Sequence, residues 1–294
     1  MARPFREPKH ALKPSAFSVQ AAEKWALKRS WKLPEDLFQL RAFWYINLVR
    51  QHVLGDRKTR YTMKLAQSEN YGISVGLTRV LPAPDPHLIG KDARRILKNK
   101  LYQDYIDRTA LVDLIMGHVS RPADQHIKLN GAAYAKYVAR SRIFADEAQK
   151  ICQRKGPKKL KGNMPRVLVI GATAGIINAL ISRGFDVSAT DLWPEAMGKV
   201  LGGLRVLSGK TANARLMKGA DLAIITGMTL PNRTLPALAK LAKKHNTSTM
   251  LWAITGRNFG HYYTEHGVDS VISDPSPFLT LPGPATIAIW RRER

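Results

Sequence analysis

Two segments of the sequence have the residue types and spacing to hold a nucleoside-type ligand. Gly171 and Gly175 frame a Gly-Ala-Thr-Ala-Gly segment, and Asp191 follows 20 residues after Gly171. Glycines let backbone amides approach a ligand closely, and a helix that begins there favours phosphate, carboxylate or ribose groups. A carboxylate at the end of the next strand can accept hydrogen bonds from both ribose hydroxyls. The predicted cofactor contacts are therefore Gly171, Ala172, Gly175, Asp191 and Leu192, the last of which could flank an adenine.

The same residues also have purely structural interpretations. Tight turns between a strand and a helix use glycines at this spacing for packing alone. Asp191 could instead cap the helix that we expect to begin near Pro194. The sequence leaves both interpretations open.

The spacing favours S-adenosyl-L-methionine (SAM) over NAD as the cofactor. The segment reads Gly-x-x-x-Gly and lacks the Gly-x-Gly-x-x-Gly pattern of dinucleotide-binding domains. Thr173 departs from the SAM pattern, because SAM enzymes of this fold often have a middle glycine at this position. A ribose-binding carboxylate also disfavours a cofactor with a 2′-phosphate. We predict a SAM-dependent transferase or cyclase that acts on a small molecule, by methyl or aminocarboxypropyl transfer or by cyclisation of part of SAM.

A polar loop follows the apolar run at residues 222–225. Thr226, Thr229 and Asn232 place hydrogen-bond donors and acceptors on this loop. At the carboxyl edge of a sheet, such a loop suits the amino-acid part of SAM or a small polar substrate. We assign Thr226 and Thr229 to cofactor binding and Asn232 to catalysis. The alternative is that Asn232 or Thr234 caps the next helix.

This loop resembles that of the Rossmann-like "putative heavy-metal chelation" domain family. In that family a strand ending in Thr-Gly leads through Thr-Leu-x-Asn-x-Thr-Leu into a helix, and the matching residues here are Thr226, Gly227, Thr229, Leu230, Asn232, Thr234 and Leu235. The resemblance covers residues 167–289 and implies a Rossmann-like fold with a site at this edge. It also implies an alternative function, the non-catalytic binding of a metal chelate or small anion. Hydroxyl and amide groups are poor ligands for soft metals, so the resemblance supports fold and site location more than metal binding.

Aromatic side chains crowd the first part of the chain, between Trp25 and Tyr45. They could form a helical core, or a lid that places aromatic faces over a cofactor or a sulfonium group. We predict substrate contacts from Trp44 and from Arg257, which could clamp a carboxylate. Arg257 could equally be a solvated charge. Tyr45 is a catalytic candidate.

The cysteine and histidine positions do not indicate a metal site. Cys152 is the single cysteine, which excludes a cysteine-cluster zinc site. His261 and His266 are five residues apart and miss the i,i+4 spacing that aligns two ligands on a helix. We predict no metal-binding residues, and the sequence contains no nucleophile elbow and no Walker lysine.

The elements that position these residues follow an α/β pattern. From Arg166 onward, short apolar runs alternate with helical segments, which predicts a Rossmann-like, mostly parallel sheet. Earlier, apolar residues from Leu37 to Val53 recur at near-helical spacing, and we predict a helix there. The predicted organisation is a smaller, mainly helical N-terminal lid domain at residues 1–160 and a Rossmann-like cofactor-binding domain at residues 161–294.

The chain carries a formal net charge of +25. Such an excess could serve nucleic-acid binding, attraction of anionic substrates or solubility. Apart from the run at 154–161 the basic residues are dispersed, without a zinc-finger or RNA-binding motif. Nucleic acid, including a role as a nucleic-acid-modifying methyltransferase, is therefore an alternative that we do not favour.

Apolar runs in this sequence are short. We find no stretch of about 18 apolar residues and no apolar signal-peptide region. We expect a cytoplasmic protein without membrane-spanning segments. A homodimer is the default expectation for its assembly.

Overall fold

The computed structural model describes residues 12–51, 58–76, 86–99, 105–154, 164–274 and 283–293. Most of the basic run at 154–161 lies outside these residues. Within them, no helix combines the length and apolar character needed to cross a bilayer.

Helices and a three-stranded antiparallel sheet make up the first part of the chain. The elements are α1 (Val19–Ser30), β1 (Ala42–Gln51), β2 (Lys58–Gln67), β3 (Tyr71–Gly76), α2 (Ala93–Lys98) and α3 (Tyr105–Val119). Short 3-10 turns lie at Pro14–Phe17, Asp36–Phe38 and Pro86–Leu88. The Ser18 hydroxyl caps α1 by accepting a hydrogen bond from the Ala21 amide at 3.1 Å.

The helix predicted from Leu37 to Val53 is wrong, because residues 42–51 form strand β1. β1 pairs with β2 in antiparallel register, with Phe43 opposite Ala66 and Ile46 opposite Met63. The N-terminal half therefore combines helices with a sheet.

The remaining elements form an α/β layer around an eight-stranded sheet. They are β4 (Gln125–Leu129), α4 (Ala133–Arg154), β5 (Arg166–Ile170), α5 (Ala174–Ile181), β6 (Asp186–Asp191), β7 (Val200–Leu201), β8 (Leu204–Arg205), β9 (Leu207–Ser208), α6 (Gly209–Gly219), β10 (Leu222–Thr226), α7 (Leu235–Lys244), β11 (Ser248–Ala253), α8 (Gly260–Glu265), β12 (Ser270–Ser273) and β13 (Ala285–Arg291). A 3-10 turn at Gly227–Thr229 follows β10. β7 and β8 form a separate hairpin.

The strand order of the sheet is β4-β13-β12-β11-β10-β5-β6-β9. All neighbours from β12 to β9 are parallel, and β13 is antiparallel to both β12 and β4. The predicted α/β fold with a mostly parallel central sheet is confirmed. β4 and α4 precede residue 160 yet belong to this layer, so the sheet crosses the domain boundary that we drew from the sequence.

Apolar side chains of the central strands are buried on both faces of the sheet. In β5, Val167 and Val169 join the apolar cluster that contains Phe144 of α4. Leu168 and Ile170 join the opposite cluster, which includes residues of α1, α3, α7 and α8. Because successive strand residues point to opposite faces, a continuous apolar run is what a strand covered on both sides requires.

The three-stranded sheet lies over the carboxyl ends of β10 and β11. Its apolar cluster of Met63, Leu65, Ile73 and Val75 packs against two residues that follow these strands, Met228 and Ile254. Two hydrogen bonds hold β3 to the loop after β11: the Gly256 amide donates to the Ile73 carbonyl at 3.1 Å, and the Val75 amide donates to the Thr255 hydroxyl at 3.0 Å. The N-terminal sheet therefore covers this edge, and its action as a lid stays a prediction.

Candidate functional site

Gly171 and Thr226, at the ends of neighbouring strands β5 and β10, lie against each other. Gly171 has a φ of +90°, and a Cβ there would lie 2.5 Å from Cγ2 of Thr226. Both the backbone conformation and the close approach require glycine. The structure thus brings two of the predicted cofactor loops together at one point of the sheet edge.

Asp191, at the end of β6, lies at the same edge of the sheet and bonds to the loop after β5. Its Oδ2 accepts a hydrogen bond from the Ala172 amide at 3.0 Å, and its Oδ1 accepts one from the Trp193 amide at 2.9 Å. The carboxylate therefore orders the glycine loop and the loop after β6 at once. A carboxylate oxygen can accept more than one hydrogen bond. Leu192 beside it is 36% exposed.

The first turn of α5 begins in the glycine loop without a side-chain cap. Thr173 is its N-cap residue and makes no capping hydrogen bond, and residues 171–175 are all half-buried. The Thr173 hydroxyl instead pairs with the Tyr137 hydroxyl at 3.2 Å. Amides of a first helical turn carry partial positive charge, which favours an anionic or polar ligand group.

Gly175 has a packing reason to be glycine. A Cβ there would lie 2.6 Å from the Tyr137 ring and 2.7 Å from the Ser141 hydroxyl, both on α4. The close packing of α4 against α5 therefore explains why residue 175 is a glycine, in agreement with the structural interpretation of this turn. A cofactor contact at Gly175 stays a prediction.

Residues of the loop after β10 mainly bond to one another. The Thr229 hydroxyl is buried and donates to the Thr226 carbonyl at 2.6 Å. Asn232 is exposed, and its Oδ1 accepts hydrogen bonds from the Thr234 amide at 3.1 Å and the Thr234 hydroxyl at 2.7 Å. These bonds match the capping interpretation of Asn232. Its catalytic role stays a prediction.

Arg257 contacts the N-terminal sheet. Its guanidinium carbon lies 4.4 Å from the centre of the Tyr71 ring, and the guanidinium donates a hydrogen bond to the Tyr71 hydroxyl. Stacking on an aromatic face orients the planar guanidinium. This partner was not foreseen from the sequence, and any clamp on a substrate carboxylate would form beside Tyr71.

Trp44 and Tyr45 lie on opposite faces of β1. Trp44 is paired with Leu65, on the face that packs toward the loops after β10 and β11, and it is 48% exposed. Tyr45 is paired with Lys64, whose buried ammonium forms an ion pair with Asp107 of α3. Because neighbouring strand residues point in opposite directions, these two predicted residues cannot contact one ligand from the same face. Trp44 is the one on the side of the candidate site.

Asp113 is a buried carboxyl that the sequence analysis missed. It accepts hydrogen bonds from the Ile73 amide at 2.8 Å and the Asn258 amide at 2.7 Å, and so links α3, β3 and the loop after β11. Burial raises the pKa of Asp113 from 3.8 to about 7, and the two amides and Arg257 oppose that rise. Its partners are 40 and 145 residues away, so no local pattern indicates it.

A second missed cluster lies beneath the same edge, where α4 begins. Arg140 is 3% exposed and forms an ion pair with Asp274, which follows β12. The indole of Trp252 donates to Asp274 at 2.8 Å and lies 4.8 Å from the Arg140 guanidinium. One turn earlier, fully buried Lys136 donates to the Gly283 carbonyl at 2.9 Å. The only sequence signal is a pair of cations four residues apart in an otherwise amphipathic helix.

The two histidines that lie five residues apart have partners within the fold. His261 Nε2 lies 3.2 Å from the Glu265 carboxylate, and His266 Nδ1 lies 2.7 Å from the Tyr262 carbonyl. Burial lowers the pKa of both histidines. Across the part of the chain that the structure describes, no group of three or more histidine, cysteine, aspartate or glutamate side chains could hold a metal ion.

Comparison with known proteins supports the fold. A family model, DUF364, described as "Putative heavy-metal chelation", matches residues 160–253. The chain is similar to a crystal structure from Desulfitobacterium hafniense DCB-2, described as a protein with unknown function from the DUF364 family. The TM-score is 0.50 at 15% identity, with 92% of this chain and 98% of that chain covered.

A second crystal structure with the same description, from Pyrococcus horikoshii, matches with a TM-score of 0.47 at 12% identity, covering 94% of this chain and 99% of that chain. No curated protein matches the sequence. The C-terminal region therefore matches the family noticed in the sequence, and the likeness to the solved structures concerns the fold.

Proposed function

We propose that the protein binds a small polar molecule at the carboxyl edge of the parallel sheet, with SAM as the first candidate. The observation that carries this proposal is the convergence of three strand ends. Gly171 touches Thr226, and Asp191 bonds to Ala172, so the loops after β5, β6 and β10 form one continuous edge. Open α/β sheets bind ligands at such edges.

The chemistry of this edge suits the parts of SAM. Asp191, at the end of β6, would accept hydrogen bonds from the ribose hydroxyls, and exposed Leu192 can lie against an adenine. The uncapped first turn of α5 offers positive partial charge to the methionine carboxylate. Trp44, on the covering sheet, is 48% exposed and would place its indole against the sulfonium.

Transfer from a sulfonium depends mainly on the position of the nucleophile. Alignment of the nucleophile with the leaving sulfur supplies much of the rate, and little acid–base help is needed. A small-molecule substrate would enter between the edge and the covering sheet, near Arg257. Methyl transfer, aminocarboxypropyl transfer and cyclisation of SAM all fit such a site.

A second candidate function is the binding of a metal chelate or small anion at the same edge. The description of the family matched by residues 160–253 favours it. Because the described residues hold no cluster of metal ligands, the metal would arrive with its own chelator.

Titration calorimetry with SAM, S-adenosylhomocysteine, NAD, citrate and ferric citrate separates these candidates. We expect micromolar binding of SAM and S-adenosylhomocysteine and weaker binding of NAD. Asp191→Asn should weaken SAM binding at least about tenfold, the value of one lost charge-assisted hydrogen bond. Asp186→Asn, at the exposed amino end of the same strand, is the matched control and should have no effect.

Asp191 also orders two loops, so thermal melting of the variant is measured alongside. Leu192→Ala removes an exposed side chain, and a loss of SAM affinity with unchanged melting supports the site independently. Binding of ferric citrate without SAM would favour the second candidate. Absence of binding to every probe would overturn both.

A further inference from the structure

Helix α1 carries a stripe of exposed lysines that ends at an exposed tryptophan. Lys24, Lys28 and Trp31 are spaced i, i+4 and i+7, and Trp31 keeps helical backbone angles as the C-cap residue of the helix. Residues at this spacing share one helix face. The two lysines are one turn apart, about 6 Å along the axis. Trp31 is 43% exposed.

Neighbouring cations hold the Trp31 indole in place. The Arg94 guanidinium carbon lies 4.7 Å from the ring centre, and the Lys98 ammonium lies 4.1 Å from it. Arg94 is itself fixed by its ion pair with Asp92 and by a hydrogen bond to the Ser30 carbonyl at 2.9 Å. Both cations lie over the ring, which is still 43% exposed, so Trp31 is a pre-ordered aromatic surface within positive charge.

Several lysines around this ring have no acidic partner among the residues that the structure describes. Lys24, Lys28, Lys32 and Lys98 are exposed, and none forms an ion pair within the described ranges. By contrast, Arg95 nearby is paired with Glu35. Four lysines without an ion pair among the described residues, in a chain of net charge +25, favour a polyanionic partner.

We propose that this surface, formed by Lys24, Lys28, Trp31, Lys32 and Lys98, binds single-stranded nucleic acid. The lysines would contact successive phosphates, and one unpaired base would stack on Trp31. An aromatic platform within a positively charged track is the common means of binding single strands without sequence preference. A duplex keeps its bases stacked on one another and cannot use the indole.

A membrane surface is the weaker partner for α1. Helices that lie on membranes insert a broad apolar face. Val19, Ala22 and Ala26 of α1 are already buried in the core of the protein, and Trp25 and Leu27 pack against that core. The proposal uses no residue of the carboxyl-edge site and is independent of the function proposed for it.

Fluorescence anisotropy with a labelled single strand of about 12 nucleotides tests the proposal. A duplex of the same length and vesicles containing phosphatidylserine are the competing probes. We expect the single strand to bind most tightly. Trp31→Ala should weaken binding about tenfold, and Trp31→Phe should restore most of the affinity. Tyr134→Ala, which removes a 67% exposed aromatic on α4, is the matched control and should leave binding unchanged.

A salt series tests the role of the lysines. Each phosphate contact on a single strand contributes about 0.7 to the slope of log affinity against log salt, so Lys24, Lys28 and Lys98 changed together to Ala should reduce the slope by about 2. An unchanged slope would overturn the proposal. So would equal losses from Trp31→Ala and Tyr134→Ala, or vesicles that displace the single strand. Circular dichroism melting of each variant confirms that the fold is intact.

Discussion

Asp113 makes the contact between the N-terminal sheet and the parallel sheet dependent on pH. Its carboxyl is fully buried and accepts the amides of Ile73 and Asn258 from the two sides of that contact. Burial raises the pKa of Asp113 to about 7, against 3.8 as the ordinary value. Folding therefore favours the protonated form of this group.

The direction of the pH dependence follows from the difference between the pKa of Asp113 in the folded protein and in the unfolded chain. Between the two pKa values the folded protein holds a proton that the unfolded chain lacks, so stability falls as pH rises. The contribution of Asp113 is fully present below the unfolded pKa of 3.8 and is lost as pH rises through about 7. From about pH 5 to about pH 8 the free energy of unfolding should fall by about 2.5 kcal/mol through this group alone.

Urea unfolding of the wild type and Asp113→Asn, measured across this pH range, isolates that contribution. The variant should be less stable throughout, because its amide group points a donor at a backbone amide. The difference in free energy of unfolding between wild type and Asp113→Asn should narrow by about 2.5 kcal/mol as pH rises. Histidines with lowered pKa, such as His118, titrate alike in both proteins and cancel.

Asp124→Asn is the control for this measurement. The ion pair and hydrogen bond with Arg121 outweigh burial and hold the pKa of Asp124 below its usual 3.8. The contribution of Asp124 to stability is lost only as pH falls below its lowered pKa. The difference in free energy of unfolding between wild type and Asp124→Asn should therefore stay constant from about pH 5 to about pH 8. A gap for Asp113→Asn that is constant, or that widens with pH, would refute the reasoning.

Two further predictions concern packing and a buried charge, and urea unfolding checks both. Gly72→Ala should destabilise the protein by about 3 kcal/mol or more, because its Cβ would lie 2.1 Å from the Ala110 carbonyl oxygen, whereas Gly184→Ala, with φ of +77° and open space, should cost only about 1 kcal/mol. Equal costs would contradict this explanation. Arg140→Met should cost about 3–5 kcal/mol because it leaves Asp274 charged and buried, whereas Arg183→Met, from an exposed pair, should cost less than about 1 kcal/mol. If Arg140→Met destabilised the protein as little as Arg183→Met, the explanation that it leaves a buried, charged Asp274 would be contradicted.

The parallel sheet was predictable because its strands are covered on both faces. The runs Arg166–Ile170 and Leu222–Thr226 are almost entirely apolar, and their inner residues are nearly all buried. A continuous apolar run of this length between glycine-containing or polar loops has few alternatives to a buried strand. These strands therefore appear where the sequence places them.

β1 was not predictable from periodicity for a related reason. Phe43 packs into the core with α3, while Ile46 packs against the cluster on the opposite face of the small sheet. With apolar residues on both faces, the alternation typical of a half-exposed strand disappears, and the spacing imitates a helix. The dense aromatic and β-branched composition was the better signal, because such residues favour strands.

The contacts that complete the site join residues far apart in the chain, and no local pattern specifies them. Arg140 meets Asp274 across 134 residues, and Asn258 meets Asp113 across 145. Sequence reasoning found the backbone features of the edge but missed the charges beneath it.

The two glycines of the first loop show how far a motif can support a ligand. Gly171 is required by its φ of +90° and by the contact with Thr226, and Gly175 by the contact with Tyr137. Both requirements exist without any bound molecule, so the Gly-x-x-x-Gly spacing alone no longer argues for a cofactor. Substituting either glycine would perturb packing and binding together. The decisive evidence must come from Leu192, because it is exposed and a loss of binding there can be separated from a loss of structure.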